Sequence, residues 1–225
     1  MSGDVVLRAH DVARTFGRGT SAVVAVFGVS CELRAGEQVS LTGPSGSGKT
    51  TLLHLFAGLD VPTTGTVDWP ALGTIGELRP GPIAVVFQGP SLLSPLDIVE
   101  NVALPLLLQG VDRKTARSQA VSALARLDLE ALSSKLPEEL SGGQAQRVAV
   151  ARVLASSPRL ILADEPTGQL DHASGALVID ALIEAATATG AALIINTHDR
   201  EIADRFDERW SMSGGRLIQE STVPC

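Results

Sequence analysis

An α/β fold is predicted, built on a mixed sheet with an antiparallel β subdomain at its N-terminal end and an inserted helical subdomain at about 90–157. Three observations predict it. Residues 5–39 read as short segments rich in β-branched side chains. From 38 to 196, apolar strand runs alternate with helix-forming runs, the order of a parallel sheet covered by helices. Between them, residues 112–129 carry amphipathic helical spacing. One domain is expected to span all 225 residues, a length one α/β core can fill, since no internal repeat or long linker divides the chain.

Taken in order, segments at 5–12 and 23–31 lead to a turn at Ala35, Gly36 and Glu37, which suggests antiparallel pairing. A strand is expected at 38–42, a helix from 48 to about 59, and a strand at 83–87. After a helical middle come a strand at 160–164, a helix ending at 189 and a strand at 192–196. In the middle, Asp112 is placed as an N-cap, with Val121, Leu124 and Leu127 on the apolar face. Gly190 is placed as a helix C-terminal glycine, and Gly214 with Gly215 as a hairpin turn.

Composition narrows the function. Hydrophobic residues make up 44% and charged residues 19%, enough apolar surface for the chain to fold throughout. Eighteen basic against 25 acidic residues leave a net charge of -7, which disfavours phosphate-backbone contacts, so no nucleic-acid partner is expected. The apolar runs at 103–108 and 191–195 fall far short of the ~20 residues a membrane span needs, so membrane association has to pass through a partner. The start, Met1-Ser2-Gly3-Asp4, has neither a signal-peptide pattern nor a myristoylation glycine, which implies a cytoplasmic location. Two cysteines make no disulfide framework; Cys31 reads as buried, and Cys225 is too late to open a prenylation box.

The strongest chemical signal is the run Gly43, Pro44, Ser45, Gly46, Ser47, Gly48, Lys49, Thr50, which fits G-x-x-x-x-G-K-[ST] between an expected strand and helix. Glycines let successive amides point inward as an anion nest, and the following helix adds its positive end. Lys49 brings a charge to the β- and γ-phosphates, and Thr50 a hydroxyl to Mg²⁺. Alone, the loop leaves kinases, GTPases and ATPases open.

Two further elements narrow the choice. An apolar run at 160–163 ends in Asp164, Glu165 and Pro166, so both acids emerge at a strand's carboxyl end, where open α/β sheets bind ligands. Asp164 can then reach the Mg²⁺ shell while Glu165 polarises a water toward the γ-phosphate; read without the loop, the pair is equally a surface feature. Leu140, Ser141, Gly142, Gly143 and Gln144 precede a helix-forming run at 145–156, and Ser141 with Gln144 has capping-box spacing. The two glycines leave the helix's first amides uncovered, as a second phosphate-binding end requires.

With GPSGSGKT, Gln88, LSGGQ, LILADEP and Thr197-His198-Asp199 in this order, the chain closely resembles the ATP-binding subunits of ABC transporters, a P-loop NTPase of ABC ATPase type, over nearly its whole length. LSGGQ discriminates, since P-loop kinases and GTPases lack it. The stretches GLDVPTTG at 58–65 and ENVALPLLL at 100–108 are similar to the lipoprotein-release, macrolide-export and cell-division branch.

The resemblance implies an ATPase that binds ATP and Mg²⁺ and works as a head-to-tail dimer with a second copy of itself. The LSGGQ of one copy would cover ATP held by the phosphate loop of the other. It also implies an integral membrane permease as partner, docked on residues 88–108, and a peripheral position on the cytoplasmic face of the cell membrane. By the same resemblance Phe16 stacks on adenine, the loop through Thr51 holds the nucleotide, and Thr50, Gln88 and Asp164 serve the metal. Glu165, His198 and Gln88 serve hydrolysis, while Ser141 to Gln144 and Asp171 act across the dimer. Without the family, Phe16 reads as core, Gln88 as a strand end and His198 as a loop histidine. His10, His54 and His172 keep that ordinary reading.

Several features depart from the family pattern. Phe16 stands where a tyrosine is usual, in a chain with no tyrosine, so stacking survives and a phenol contact does not. The stretch 67–83 is short, which puts the hairpin beside the base pocket in doubt. Ala145 replaces the usual glutamine after LSGGQ, and the chain ends soon after His198, leaving no room for an appended regulatory domain. The competing readings are a soluble ABC ATPase acting on ribosomes or DNA, an ATP-gated module without transport, and a P-loop kinase.

Overall fold

Strands β6 (Leu160–Asp164) and β7 (Ala192–Asn196) are buried along their whole length, and their side-chain alternation divides the molecule into two cores. In this computed structural model, which describes residues 3–221, Leu160, Leu162, Ala192 and Ile194 point into one apolar cluster. Ile161, Ala163, Leu193 and Ile195 point into the other. A strand with two dry faces is apolar wherever no polar partner meets it, which is why 160–163 and 192–195 read as continuous hydrophobic runs, each ending in one buried polar residue, Asp164 and Asn196. The opening Met1-Ser2 and the terminal Cys225 lie outside the described residues.

The first core lies under an antiparallel sheet of order β2-β1-β4, formed by β1 (Val5–Phe16), β2 (Val23–Arg34) and β4 (Thr64–Asp68). It also takes in α1 (Lys49–Phe56), whose Leu52, Leu53, Leu55 and Phe56 are buried. The second core joins α2 (Ile98–Leu108), α3 (Arg113–Ala125), α4 (Gly142–Ala155) and α5 (His172–Thr189). The six-stranded sheet between the cores runs β5-β6-β7-β3-β8-β9, adding β3 (Gln38–Thr42), β5 (Ile83–Val86), β8 (Glu208–Ser213) and β9 (Arg216–Ser221). All its pairs are parallel except β8 with β9, so the sheet is mixed as expected. Each fully buried Leu or Ile contributes about 1.5–3 kcal/mol by leaving water, so the double-sided burial of β6 and β7 is a major source of stability.

Strands β3, β6 and β7 fall where the sequence places them; β1 and β2 run longer. The polar Asp11, at φ 48, breaks the β pattern of β1, yet pairing continues past it to Phe16 opposite Val23. Helix α1 ends at Phe56 rather than near 59, because Gly58 turns left-handed at φ 62 and the Leu59 amide bonds back to the His54 carbonyl. Helix α3 likewise stops at Ala125, with Asp128 left-handed at φ 55 and the Leu129 amide on the Leu124 carbonyl. Leu127 and Leu129 are buried just beyond it. The doubted hairpin is absent: among the described residues nothing from 69 to 82 is strand. Trp69, Leu72 and Leu78 fold inward there, the Trp69 indole donating to the Phe56 carbonyl at 2.8 Å.

Helix α2 is capped by a reciprocal pair, Asp97 accepting from the Glu100 amide at 2.7 Å and Glu100 from the Asp97 amide at 3.0 Å. One turn on, the fully buried Asn101 accepts from the Leu93 amide at 2.8 Å and donates to the carbonyls of Leu93, Leu96 and Asp97. One side chain thus replaces the hydrogen bonds that an irregular loop cannot make for itself. Asn101→Leu leaves these groups buried and unpaired, and is expected to lower stability by about 2–3 kcal/mol, read as a lower urea midpoint at unchanged slope.

Candidate active site

The loop between β3 and α1 passes through a gap that admits no side chain at two points. A Cβ on Gly43, at φ 142, would lie 2.2 Å from the Met212 carbonyl oxygen of β8. One on Gly48, at φ 101, would lie 2.0 Å from the Ala25 carbonyl oxygen of β2. Gly46, at φ 75, has open space around it. The loop is also tied from outside, since the Gly215 amide donates to the Ser47 carbonyl at 3.2 Å and the Gly215 carbonyl accepts from Phe27 at 2.8 Å. Gly48, the residue before α1, offers no side-chain cap, so the first amides of that helix are left for an anion. Lys49 is 7% exposed and donates to the Gly43 carbonyl at 2.8 Å and the Pro44 carbonyl at 3.0 Å. Its ammonium therefore sits over the loop's entrance, with a third N–H to give.

A cavity of about 320 Å³ opens over this loop, lined by Ser45, Gly46, Gly48, Lys49, Thr50 and Thr51 together with Ala25, Gln88, Glu165 and Asn196. The fold thus brings phosphate loop, Gln88 and Glu165 to one place. Glu165 follows β6 with φ 45, a conformation disfavoured for a side-chain-bearing residue. It is held there by its amide bonded to the Asn196 carbonyl at 3.0 Å and by a turn closed from the Gly168 amide at 3.1 Å. Gln88 donates to Glu165 Oε2 at 3.3 Å, and His198 Nδ1 lies 3.6 Å from Glu165 Oε1. Asp164, 4% exposed, does not line the cavity; its Oδ1 accepts from Asn196 Nδ2, and Asn196 does.

Three elements named from the sequence, the Ser141–Gln144 run, Asp171 and Phe16, stand apart from this cavity. Ser141 caps α4 in the expected reciprocal way, its hydroxyl accepting from the Gln144 amide at 3.2 Å and Gln144 Oε1 from the Ser141 amide at 2.9 Å. Gly142 and Gly143 face Gln169 and Leu170 rather than the phosphate loop. Asp171 caps α5, and its bonds to the Ser174 amide and hydroxyl hold its carboxyl below the usual range. Phe16 is 43% exposed, which corrects the core reading, and sits opposite Val23, two residues before Ala25. The Arg14 guanidinium lies 4.6 Å from the Phe16 ring centre and is held by Asp60 at 2.8 Å, so one ring face is already covered.

Sequence reasoning missed several supports. Gln146 donates to the Phe87 carbonyl at 3.0 Å and Arg152 to the Ser91 carbonyl at 3.0 Å, so α4 grips the segment carrying Gln88. Both are polar residues turned inward from a helix, visible as interruptions of its apolar face. Asn196, a polar end to an apolar strand, was the comparable signal beside the acids.

A glycine loop threaded between strands, an uncapped helix start, a buried lysine and an acid pair on the adjacent strand define a P-loop nucleoside triphosphatase. The LSGGQ run at 140–144, which opens α4, points to ATP-binding cassettes within that class. Residues 26–168 match the family model for the ABC transporter, and the chain belongs to that family. It is 39% identical over 221 residues to the lipoprotein-releasing system ATP-binding protein LolD of Legionella pneumophila strain Paris, covering 95% of this chain and 97% of that one. To LolD of Gluconobacter oxydans it is 41% identical, over 96% and 97%. Among solved structures it superposes on the dimeric bacterial ABC transporter cassette MJ0796 with a TM-score of 0.91 and 33% identity, covering 97% of this chain and 100% of that one. The post-hydrolysis dimer of that cassette, bound to ADP and Pi, gives 0.90 and 32% over the same shares.

Lys49→Ala removes the ammonium held at the loop's entrance and is expected to weaken ATP binding about 10-fold or more in a fluorescence titration, the scale of one charge-assisted hydrogen bond. Unchanged affinity would contradict the loop's assignment.

Proposed function

We propose that this chain is the ATP-hydrolysing subunit of an ABC transporter of the lipoprotein-releasing kind, powering a membrane permease through closure of two copies. One observation carries the reading: phosphate loop, Gln88 and Glu165 share a cavity, while Ser141 to Gln144, the other phosphate-binding helix start, do not line it and neighbour Gln169 and Leu170 instead. Such a pair of half-sites is completed when two chains meet head to tail.

In this reading the loop amides and Lys49 bind the β- and γ-phosphates, and Phe16 stacks the adenine on the ring face that Arg14 leaves free. Glu165 takes a proton from the attacking water, its two oxygens steadied by Gln88 and His198. Ser141, Gly142 and Gly143 of the second copy cover the γ-phosphate, and Asp171 carries the signal across the dimer.

The donor set also suits Mg²⁺, which takes one or two carboxylates plus phosphate oxygens and waters rather than a cage of acids. Thr50 and Gln88 line the phosphate cavity, and Asp164, bonded to the cavity-lining Asn196 at its edge, would supply the carboxylate. When bound, the ion supplies charge neutralisation at the phosphates.

The whole chain acts as one ATP-binding domain, its helical subdomain at about 90–157. Next to Gln88 lies a largely apolar groove lined by Phe87, Leu104, Pro105 and Leu108, of which Leu108 is exposed. That groove supports residues 88–108 as the permease-docking surface. Among the described residues no helix is long and apolar enough to cross a membrane, and the permease holds the chain at the cytoplasmic face.

Glu165→Gln is expected to keep ATP binding and lose hydrolysis by about 100-fold or more, measured as phosphate release under saturating ATP. Near-normal turnover would remove Glu165 from the role. The same variant, tagged and held ATP-bound in its native cells, is expected to bring down an integral permease from detergent-solubilised membranes. Ribosomal or nucleic-acid proteins in its place would overturn the transporter reading and leave the ATPase standing.

A further inference from the structure

We infer that Asn196 is a positioning residue that sets both carboxylates of the acid pair, and through Asp164 the affinity of the site for its divalent cation. The inference rests on the reading of Asp164 and Glu165 given above. Asn196 ends β7 directly opposite Asp164 of β6 in the parallel register. Its Nδ2 donates to Asp164 Oδ1, and its main-chain carbonyl accepts the Glu165 amide at 3.0 Å. One residue therefore orients the first acid through its side chain and anchors the second through its backbone.

Packing does not explain this amide. Asn196 is 1% exposed at the end of the run Leu193, Ile194, Ile195, and its Oδ1 is buried without a protein partner. On burial grounds alone an apolar side chain would suit the position better. The carboxylate only accepts, so the amide must present Nδ2 to it. A bond to Oδ1 fixes the carboxylate's rotation and hence the direction of its other oxygen. A neutral donor achieves this without placing a positive charge beside a dication, as Lys or Arg would. Asn196 also lines the phosphate cavity with Thr50 and Gln88, so the pair it forms with Asp164 borders the space a phosphate-bound cation would occupy.

The test is a Mg²⁺ titration of binding of a fluorescent ATP analogue, run with Asn196→Leu, Asn196→Ala and Asp164→Asn beside the parent, and repeated in EDTA. Asn196→Leu keeps the size of the side chain, and Asn196→Ala, which cannot overpack, serves if the leucine variant does not fold. Loss of a partner that orients a metal ligand is expected to raise the half-saturating Mg²⁺ concentration about 10- to 100-fold. Binding in EDTA, which reads the loop and base contacts alone, is expected to stay within about twofold. An unchanged Mg²⁺ requirement in the Asn196 variants, with a raised one in Asp164→Asn, would overturn the inference and spare the metal reading. Unchanged behaviour in all three would remove the metal reading itself, and the inference with it. Equal loss with and without Mg²⁺ would reduce Asn196 to structural support and overturn the inference as well.

Discussion

The close approach of the phosphate loop to two strand carbonyls, at Ala25 and Met212, is the constraint on which the rest of the site depends. Those contacts leave no volume for a Cβ at Gly48 or Gly43, and they fix where the loop amides point. They also bind together parts of the chain distant in sequence: β2 from the antiparallel sheet, and β8 with its turn at Gly214 and Gly215. A phosphate site made of main-chain amides needs such a frame, because its donors have no side-chain freedom to correct a misplaced backbone.

The acid pair depends on a second frame of the same kind. β6 and β7 are held in parallel register along their whole length, so Asp164 and Asn196 end side by side. Glu165 then turns to a positive φ that costs of order 1–3 kcal/mol and is offset by hydrogen bonds on either side of it. The turn carries its carboxylate to Gln88 and His198, which arrive from β5 and β7. Three neighbouring strands thus each deliver one group at their carboxyl ends, the usual place for a ligand on an open α/β sheet. From the opposite side, α4 anchors the segment after β5 through Gln146 and Arg152, so the helix that starts at Ser141 is mechanically joined to Gln88.

Much of this was legible in the sequence, for identifiable reasons. Strands 160–164 and 192–196 were readable because both their faces are dry and only their last residues are polar, and 38–42 because Val39 and Leu41 alternate with polar residues just before the glycine loop. Gly43 to Thr50 and the Ser141–Gln144 cap were readable because local geometry alone demands those residue types. The ends of α1, α3 and β1 were not, since a left-handed Gly58 or Asp128 and pairing carried past Asp11 depend on what packs against them. The same holds for Phe16, whose half-exposed ring is backed by Arg14 of the same strand, itself held by Asp60 from the loop after α1. Gln146, Arg152 and Asn196 act through contacts across 59, 61 and 32 positions of chain, a separation no local pattern encodes.

The separation of Ser141 to Gln144 from the phosphate cavity makes the central claim a statement about assembly: one chain holds half of each site. The most direct test is the solution mass of Glu165→Gln by sedimentation, with and without Mg²⁺ and ATP. The account predicts a shift from the 23.4 kDa chain to twice that mass when ATP is bound, reversed when it is removed. A chain saturated with ATP that stays at 23.4 kDa would contradict it.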